Sequence, residues 1–133
     1  MYNIGYDIGS SSIKAALVEV KTGKQIAVTH EPEGEMGMIS PKASWAEQDP
    51  EAWWELVCSA TKKLLKQTGI DSAKINGIGI AYQMHGLVVV DRNGAPLRNA
   101  IIWCDSRAVD IGNEAFKALG AKKRMEHLLN SPA

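Results

Sequence analysis

The run Asp7-Ile8-Gly9-Ser10-Ser11-Ser12-Ile13-Lys14-Ala15-Ala16 leaves this part of the chain few ways to fold. An apolar strand at residues 4–8 carries an acid near its end. A tight turn of one glycine and three hydroxyls follows, then a second apolar strand at residues 13–20. The pattern predicts a β-hairpin whose tip is built from small donors. Glycine lets the backbone approach a ligand closely. Consecutive N–H groups at such a turn form a concavity suited to anions. Ser10, Ser11 and Ser12 add hydroxyls, and Lys14 adds a positive charge. Asp7 beside such a site suits Mg²⁺, which prefers carboxylate, water and phosphate oxygens. The expectation is a loop for phosphate and magnesium. An ordinary Gly-Ser hairpin turn is the alternative that these residues alone leave open.

The pattern farther along predicts three strands at residues 3–7, 12–19 and 25–31, joined by the serine turn and by Thr22-Gly23. They should form an antiparallel meander. Residues 32–49 show no periodicity and hold Pro32, Gly34, Gly37 and Pro41, so they read as a long loop, a kind that is often functional. Asp49-Pro50-Glu51 is a helix start, with an acid as cap and proline in the first turn. Trp53, Leu56, Val57, Ala60 and Leu64 recur at helical spacing, and Gly69 ends the helix. The tryptophans of this helix read as core anchors. Residues 75–82 are nearly all apolar and follow a helix, which predicts a buried parallel strand. Residues 87–90 predict another strand, and residues 100–103 a short apolar segment. A second helix is expected over residues 107–119, capped by Asp105 or Ser106, and a third over residues 122–129. The order β-β-β-α-β-β-α-α predicts an α/β architecture with a mixed sheet.

Fifteen basic and fifteen acidic residues cancel in the 133-residue chain. No basic stripe stands out, so nucleic acid and anionic membrane surfaces are not expected partners. No apolar run approaches the length of a membrane span, and the first strand leaves no room for a signal-peptide core. Cys58 and Cys104 lack a CxxC spacing and read as buried free thiols in a reducing compartment. A cytoplasmic protein is expected. No GxxxxGK[ST] motif occurs, and Gly77-Ile78-Gly79 lies inside a strand without completing a dinucleotide fingerprint. His30, His85 and His127 show no metal-ligand spacing.

Two further segments could carry chemistry. Gln83-Met84-His85-Gly86 lies at the carboxyl end of the predicted parallel strand, where open α/β sheets bind ligands. Taken alone, His85 reads first as a hydrogen-bonded structural histidine. Trp103-Cys104-Asp105-Ser106-Arg107 offers an aromatic face, an acid and a guanidinium, which suit a polyhydroxy ligand. Taken alone, it reads first as a helix start with Asp105 as cap and Arg107 solvated.

In order along the chain, residues 4–14, 45–54, 77–86 and 100–108 resemble the FGGY carbohydrate kinases, and xylulose kinases among them. The resemblance implies a ribonuclease-H-like fold of the actin-like ATPase and sugar kinase group. It also implies transfer of the γ-phosphoryl of ATP to a sugar hydroxyl, a reaction that depends mostly on positioning and charge neutralisation. By that resemblance Asp7 lies near Mg²⁺ and the reacting phosphoryl group, and Gly9, Ser10, Ser11, Ser12 and Lys14 form the phosphate loop. Gln83, Met84, His85, Trp103 and Asp105 fall at the sugar site. Met-His there departs from the Arg-Glu of glycerol kinases. Gluconate kinases share Met-His, usually without this Gln before it and Gly after it. The expected substrate is a pentulose, D-xylulose, with gluconate or another polyol as the alternative. A non-catalytic actin-like nucleotide-binding domain is a further alternative, disfavoured by the Met-His-Gly and Trp-x-Asp-x-Arg segments; a non-enzymatic interaction domain is the last.

In the family the catalytic-base aspartate comes later than any residue here. Residues 1–133 are therefore expected to be an N-terminal part of the first kinase domain, inactive alone, with an exposed apolar face that makes it self-associate as a homo-oligomer.

Overall fold

The computed structural model describes residues 1–120 and Lys123. Strands β1 (Tyr2–Ile8), β2 (Ile13–Glu19) and β3 (Gln25–Glu31) form the expected meander. Alternation along β1 and β2 puts Ile4, Tyr6, Ile13, Ala15 and Leu17 on one face, all buried, and Asn3, Asp7 and Lys14 on the other, all exposed. In the register Ile4 lies opposite Leu17 and Tyr6 opposite Ala15.

A two-residue strand, β4 (Glu47–Gln48), precedes helix α1 (Pro50–Thr68). Asp49 caps α1 through Glu51 N, with Pro50 in the first turn. Gly69 ends it in the left-handed region at φ 65°, where a side chain would be strained. Ala60 and Leu64 of α1 close on Ile4, Tyr6, Ala15 and Leu17 to make the core. Two hydroxyls fix the helix to the sheet: Thr29 Oγ1 donates to Ala60 O at 3.0 Å, and the Tyr6 hydroxyl lies 2.6 Å from Thr61 Oγ1.

Strand β5 (Ile75–Tyr82) runs parallel to β1, giving a mixed sheet of order β3-β2-β1-β5. Its bounds agree with the sequence pattern but its burial does not. Ile78 and Ile80 pair with Ile4 and Tyr6, so they share the core face. They are nonetheless 64% and 62% exposed, because α1 packs over β2 and β3 and leaves this edge uncovered. Trp54 on α1 borders the same uncovered face and is itself exposed, contrary to the expected anchor role.

Residues 87–90 do not form the expected strand. Leu87 makes an isolated bridge to Ile101 and Val90 one to Pro96. Strand β6 (Ala100–Ile101) pairs with β4. Helix α2 (Val109–Leu119) starts after Ala108 with no side-chain cap, so neither Asp105 nor Ser106 plays the role expected of it. Asp105 is engaged elsewhere, as described below. The third helix expected over residues 122–129 lies, apart from Lys123, outside the described residues, as does His127. Among the described residues no helix is long and apolar enough to cross a membrane.

Candidate active site

The carboxyl ends of β1 and β5 lie side by side. Asp7 is opposite Ala81, Ile8 is opposite Tyr82, and Gln83 N donates to Ile8 O at 2.9 Å. The serine turn and the Gln83-Met84-His85 segment therefore leave the sheet at one edge. Leu87 and Ile101 exchange backbone hydrogen bonds at 2.8 and 3.0 Å, which carries the second segment to β6 and on toward Trp103. Trp103 Nε1 donates to Ser10 Oγ at 3.2 Å. The three segments singled out in the sequence thus converge on one end of the molecule.

Within the turn, Gly9 N donates to Ser12 O at 3.1 Å. A β-carbon on Gly9 would sit 3.1 Å from the same oxygen, so the turn closes this tightly only with glycine. The N–H groups of Ser10, Ser11 and Ser12 donate to nothing among the described residues. Unpaired amides are rare when buried; here they sit at the open tip of a hairpin and leave three adjacent donors for an anion. Lys14 Nζ lies 3.4 Å from Asp7 Oδ2, and both side chains are more than half exposed. The pair is loose and its groups can turn to a ligand.

No group of three or more His, Cys, Asp or Glu that could hold a metal ion occurs among the described residues. A lone exposed Asp beside free amides fits Mg²⁺ that keeps water and phosphate oxygens as its other ligands. It does not fit a cage made of protein alone.

Around the second segment, His85 adopts φ 63°, the left-handed region, although it is not a glycine. Such strain gathers at ligand-binding sites. Met84 is 67% exposed. The side-chain amide atoms of Gln83 are buried with no partner among the described residues. They sit beside a cavity of 450 Å³ lined by Ile8, Trp53, Tyr82, Gly86 and Val88.

Asp105 differs from the others. Its Oδ1 accepts from Arg107 N and Nε at 2.8 and 2.9 Å. Its Oδ2 accepts from Ala46 N and Arg107 Nη2 at 2.6 and 2.7 Å. A carboxylate has about four lone-pair sites, and all four are filled. Arg107 first, helped by the Ala46 N–H, holds this carboxyl far below the usual range despite burial. Asp105 in this arrangement offers no oxygen to a ligand. Arg107 is not solvated, as its sequence suggested, but stacked with its guanidinium carbon 3.7 Å from the centre of the Trp45 ring. It also donates to Glu47 Oε1 at 2.7 Å. Glu47 is buried and further paired with Arg98, and Arg107 holds its carboxyl below the ordinary value.

Trp45, Glu47, Gln48 and Arg98 are the residues that sequence reasoning left without a role. Glu47 meets Arg98 and Arg107 across 51 and 60 positions, so no local spacing announces the network. Trp45, Glu47 and Gln48 do lie in residues 45–54, which carried part of the family resemblance; Arg98 lies outside all four stretches.

The model of the FGGY family of carbohydrate kinases, N-terminal domain, matches residues 2–131. The chain is 39% identical over 106 residues to a xylulose kinase of Bacillus subtilis, covering 80% of this chain and 20% of that protein. It is 36% identical over 110 residues to an L-xylulose/3-keto-L-gulonate kinase of Escherichia coli, covering 83% and 21%. Among solved structures, the xylulose kinase from Rhodospirillum rubrum superimposes with a TM-score of 0.82 at 29% identity, covering 94% of this chain and 25% of that one. The gluconate kinase from Lactobacillus acidophilus gives 0.81 at 29%, covering 94% and 24%. The chain thus spans about a fifth of the length of the curated relatives it matches. Its fold is the actin-like ATPase fold of the sugar kinases, as a partial N-terminal domain with a mixed sheet and flanking helices.

Proposed function

The chain belongs to the FGGY family of carbohydrate kinases, and from that premise we propose that it is the N-terminal segment of an ATP-dependent kinase of a pentulose, D-xylulose. The observation that carries this reading is the join between its parts. Three unpaired amides, Asp7 and Lys14 form one lobe, and Trp103, hydrogen-bonded to Ser10, begins the other. A phosphate donor in the first lobe would lie next to a sugar in the second, as phosphoryl transfer requires.

In this reading the Ser10, Ser11 and Ser12 amides and Lys14 bind and orient the phosphate oxygens of ATP. Asp7 holds Mg²⁺, which when bound offsets the charge on those oxygens. Gln83, Met84, His85 and the Trp103 face receive the sugar, whose C–H groups stack on the indole. Asp105 acts at one remove: by holding Arg107 and Ala46 it sets the loop that presents Trp103.

The proton of the attacking hydroxyl needs a carboxylate to accept it. Of the carboxylates at the site, Asp7 is assigned to Mg²⁺ in this reading, and Asp105 and Glu47 are committed to arginines. The 133-residue chain is therefore expected to be inactive alone. Its uncovered face around Trp54, Ile78 and Ile80 is expected to make it self-associate. Detection of sugar phosphorylation by the isolated chain would overturn the first expectation, and a monomer by light scattering at high concentration the second.

The substrate is tested with a chimera in which this chain replaces the matching segment of the Bacillus subtilis relative. ATP-dependent phosphorylation of D-xylulose, lost on Asp7→Asn, is the expected result. A folded chimera that phosphorylates D-gluconate and not D-xylulose would favour the second reading, for which the gluconate kinase likeness speaks.

A further inference from the structure

We propose that Gln48 is a positioning residue that aims the amides of the serine turn at their anion, an inference that rests on the phosphate reading of that turn. All three serine carbonyls of the turn are tied back. Ser10 O accepts from Gln48 Nε2 at 2.7 Å, Ser11 O from Met36 N at 2.8 Å, and Ser12 O from Gly9 N at 3.1 Å. In a planar trans peptide the C=O and the following N–H point in opposite directions, and the peptides of the turn are trans. Holding Ser10 O therefore turns Ser11 N–H outward, and holding Ser11 O does the same for Ser12 N–H. Gln48 supplies the one side-chain contact among these three ties.

Gln48 is itself fixed. It is 3% exposed. Trp53 Nε1 donates to its Oε1 at 3.2 Å. An indole N–H only donates, so the atom facing it must be the oxygen, and the amide nitrogen must face Ser10 O and Gly37 O, which lies 3.2 Å away. Trp53 thus selects the orientation in which Gln48 can hold the turn. The pair links the start of α1 to the turn.

The test is a titration of the ¹⁵N-labelled chain with inorganic pyrophosphate, following the Ser10, Ser11 and Ser12 amide resonances. In the unaltered chain all three shift. Gln48→Met keeps the volume and removes the donor; it is expected to weaken pyrophosphate binding about tenfold, the worth of one well-placed hydrogen bond. The shift of Ser11 should shrink more than that of Ser12, whose amide is set by Met36. Loss of packing alone would not single out Ser11. Trp53→Phe keeps an aromatic ring, removes the indole N–H and frees Gln48 to flip, with a smaller effect of about threefold. Gln48→Met with unaltered affinity and an unaltered Ser11 shift overturns the proposal while leaving the phosphate reading intact. If Gln48→Met loses its dispersed spectrum, Trp53→Phe decides, and an unchanged Ser11 shift there overturns it. No shift of any of the three amides in the unaltered chain removes the phosphate reading, and this proposal with it.

Discussion

Two polar regions meet where Trp103 donates to Ser10 Oγ. On one side, the serine turn leaves three amides unpaired, and its acid and base, Asp7 and Lys14, touch at 3.4 Å with both side chains more than half exposed. On the other side, Asp105 and Arg107 form a two-pronged pair whose side chains are only 2% and 15% exposed, and every acceptor position of the acid is filled. Both regions present an acid, a base and small polar neighbours in the sequence. One keeps hydrogen-bonding capacity for a ligand; the other spends its own on holding two loops together. Residue type nominates a site, but spare hydrogen-bonding capacity separates a binding surface from a joint.

The contrast is easiest to break at Arg107. Arg107→Ala leaves Asp105 as a buried carboxylate without its guanidinium and Glu47 with Arg98 alone, an arrangement that is strongly unfavourable. It should give the largest loss of stability of the substitutions considered, read as the midpoint of urea unfolding. A midpoint close to that of the unaltered chain would show that the joint is not a joint.

Acid should act on the same region next. Glu47 and Asp105 both titrate below their ordinary values of 4.5 and 3.8 in the folded chain, chiefly through Arg107. Lowered carboxyl values contribute stability that is fully present above those ordinary values and is lost as pH falls toward the folded ones. Thermal stability should therefore fall as pH drops below 4.5, and Arg107→Ala should flatten that fall. An acid limb of equal slope in both proteins would mean that the stabilisation lies elsewhere.

The open region should behave in the opposite way. An exposed pair such as Asp7–Lys14 contributes little, so Asp7→Asn should change stability by less than about 0.5 kcal/mol. Its effect should fall on the magnesium dependence of ATP binding, measured by calorimetry with and without Mg²⁺. A large loss of stability with no change in that dependence would place Asp7 in the same class as Asp105.

The meander and α1 were legible because their signals are local. Alternation set the faces of β1 and β2, and Asp49, Pro50 and Gly69 marked the ends of α1. The bounds of β5 were equally plain, yet its burial was not, since an apolar run reports what a strand can bury and not whether a layer covers it. Residues 87–90 have strand-forming side chains but find only isolated bridges. Of the site, the turn was readable from its glycine and serines. The roles of Glu47 and Gln48 were not, because β4 is too short to show a period and its partners lie far along the chain. The same distance hid the fate of Asp105, whose neighbour Arg107 was visible but whose contact with Ala46 N was not.

The most direct test is a crystal structure of the chain, or of the chimera that carries it, with ADP and Mg²⁺ bound. Phosphate oxygens are expected within hydrogen-bonding distance of the Ser10, Ser11 and Ser12 amides, with Asp105 still holding Arg107. A nucleotide bound elsewhere with those amides facing solvent, or Asp105 released from Arg107 to touch a ligand, would contradict this expectation.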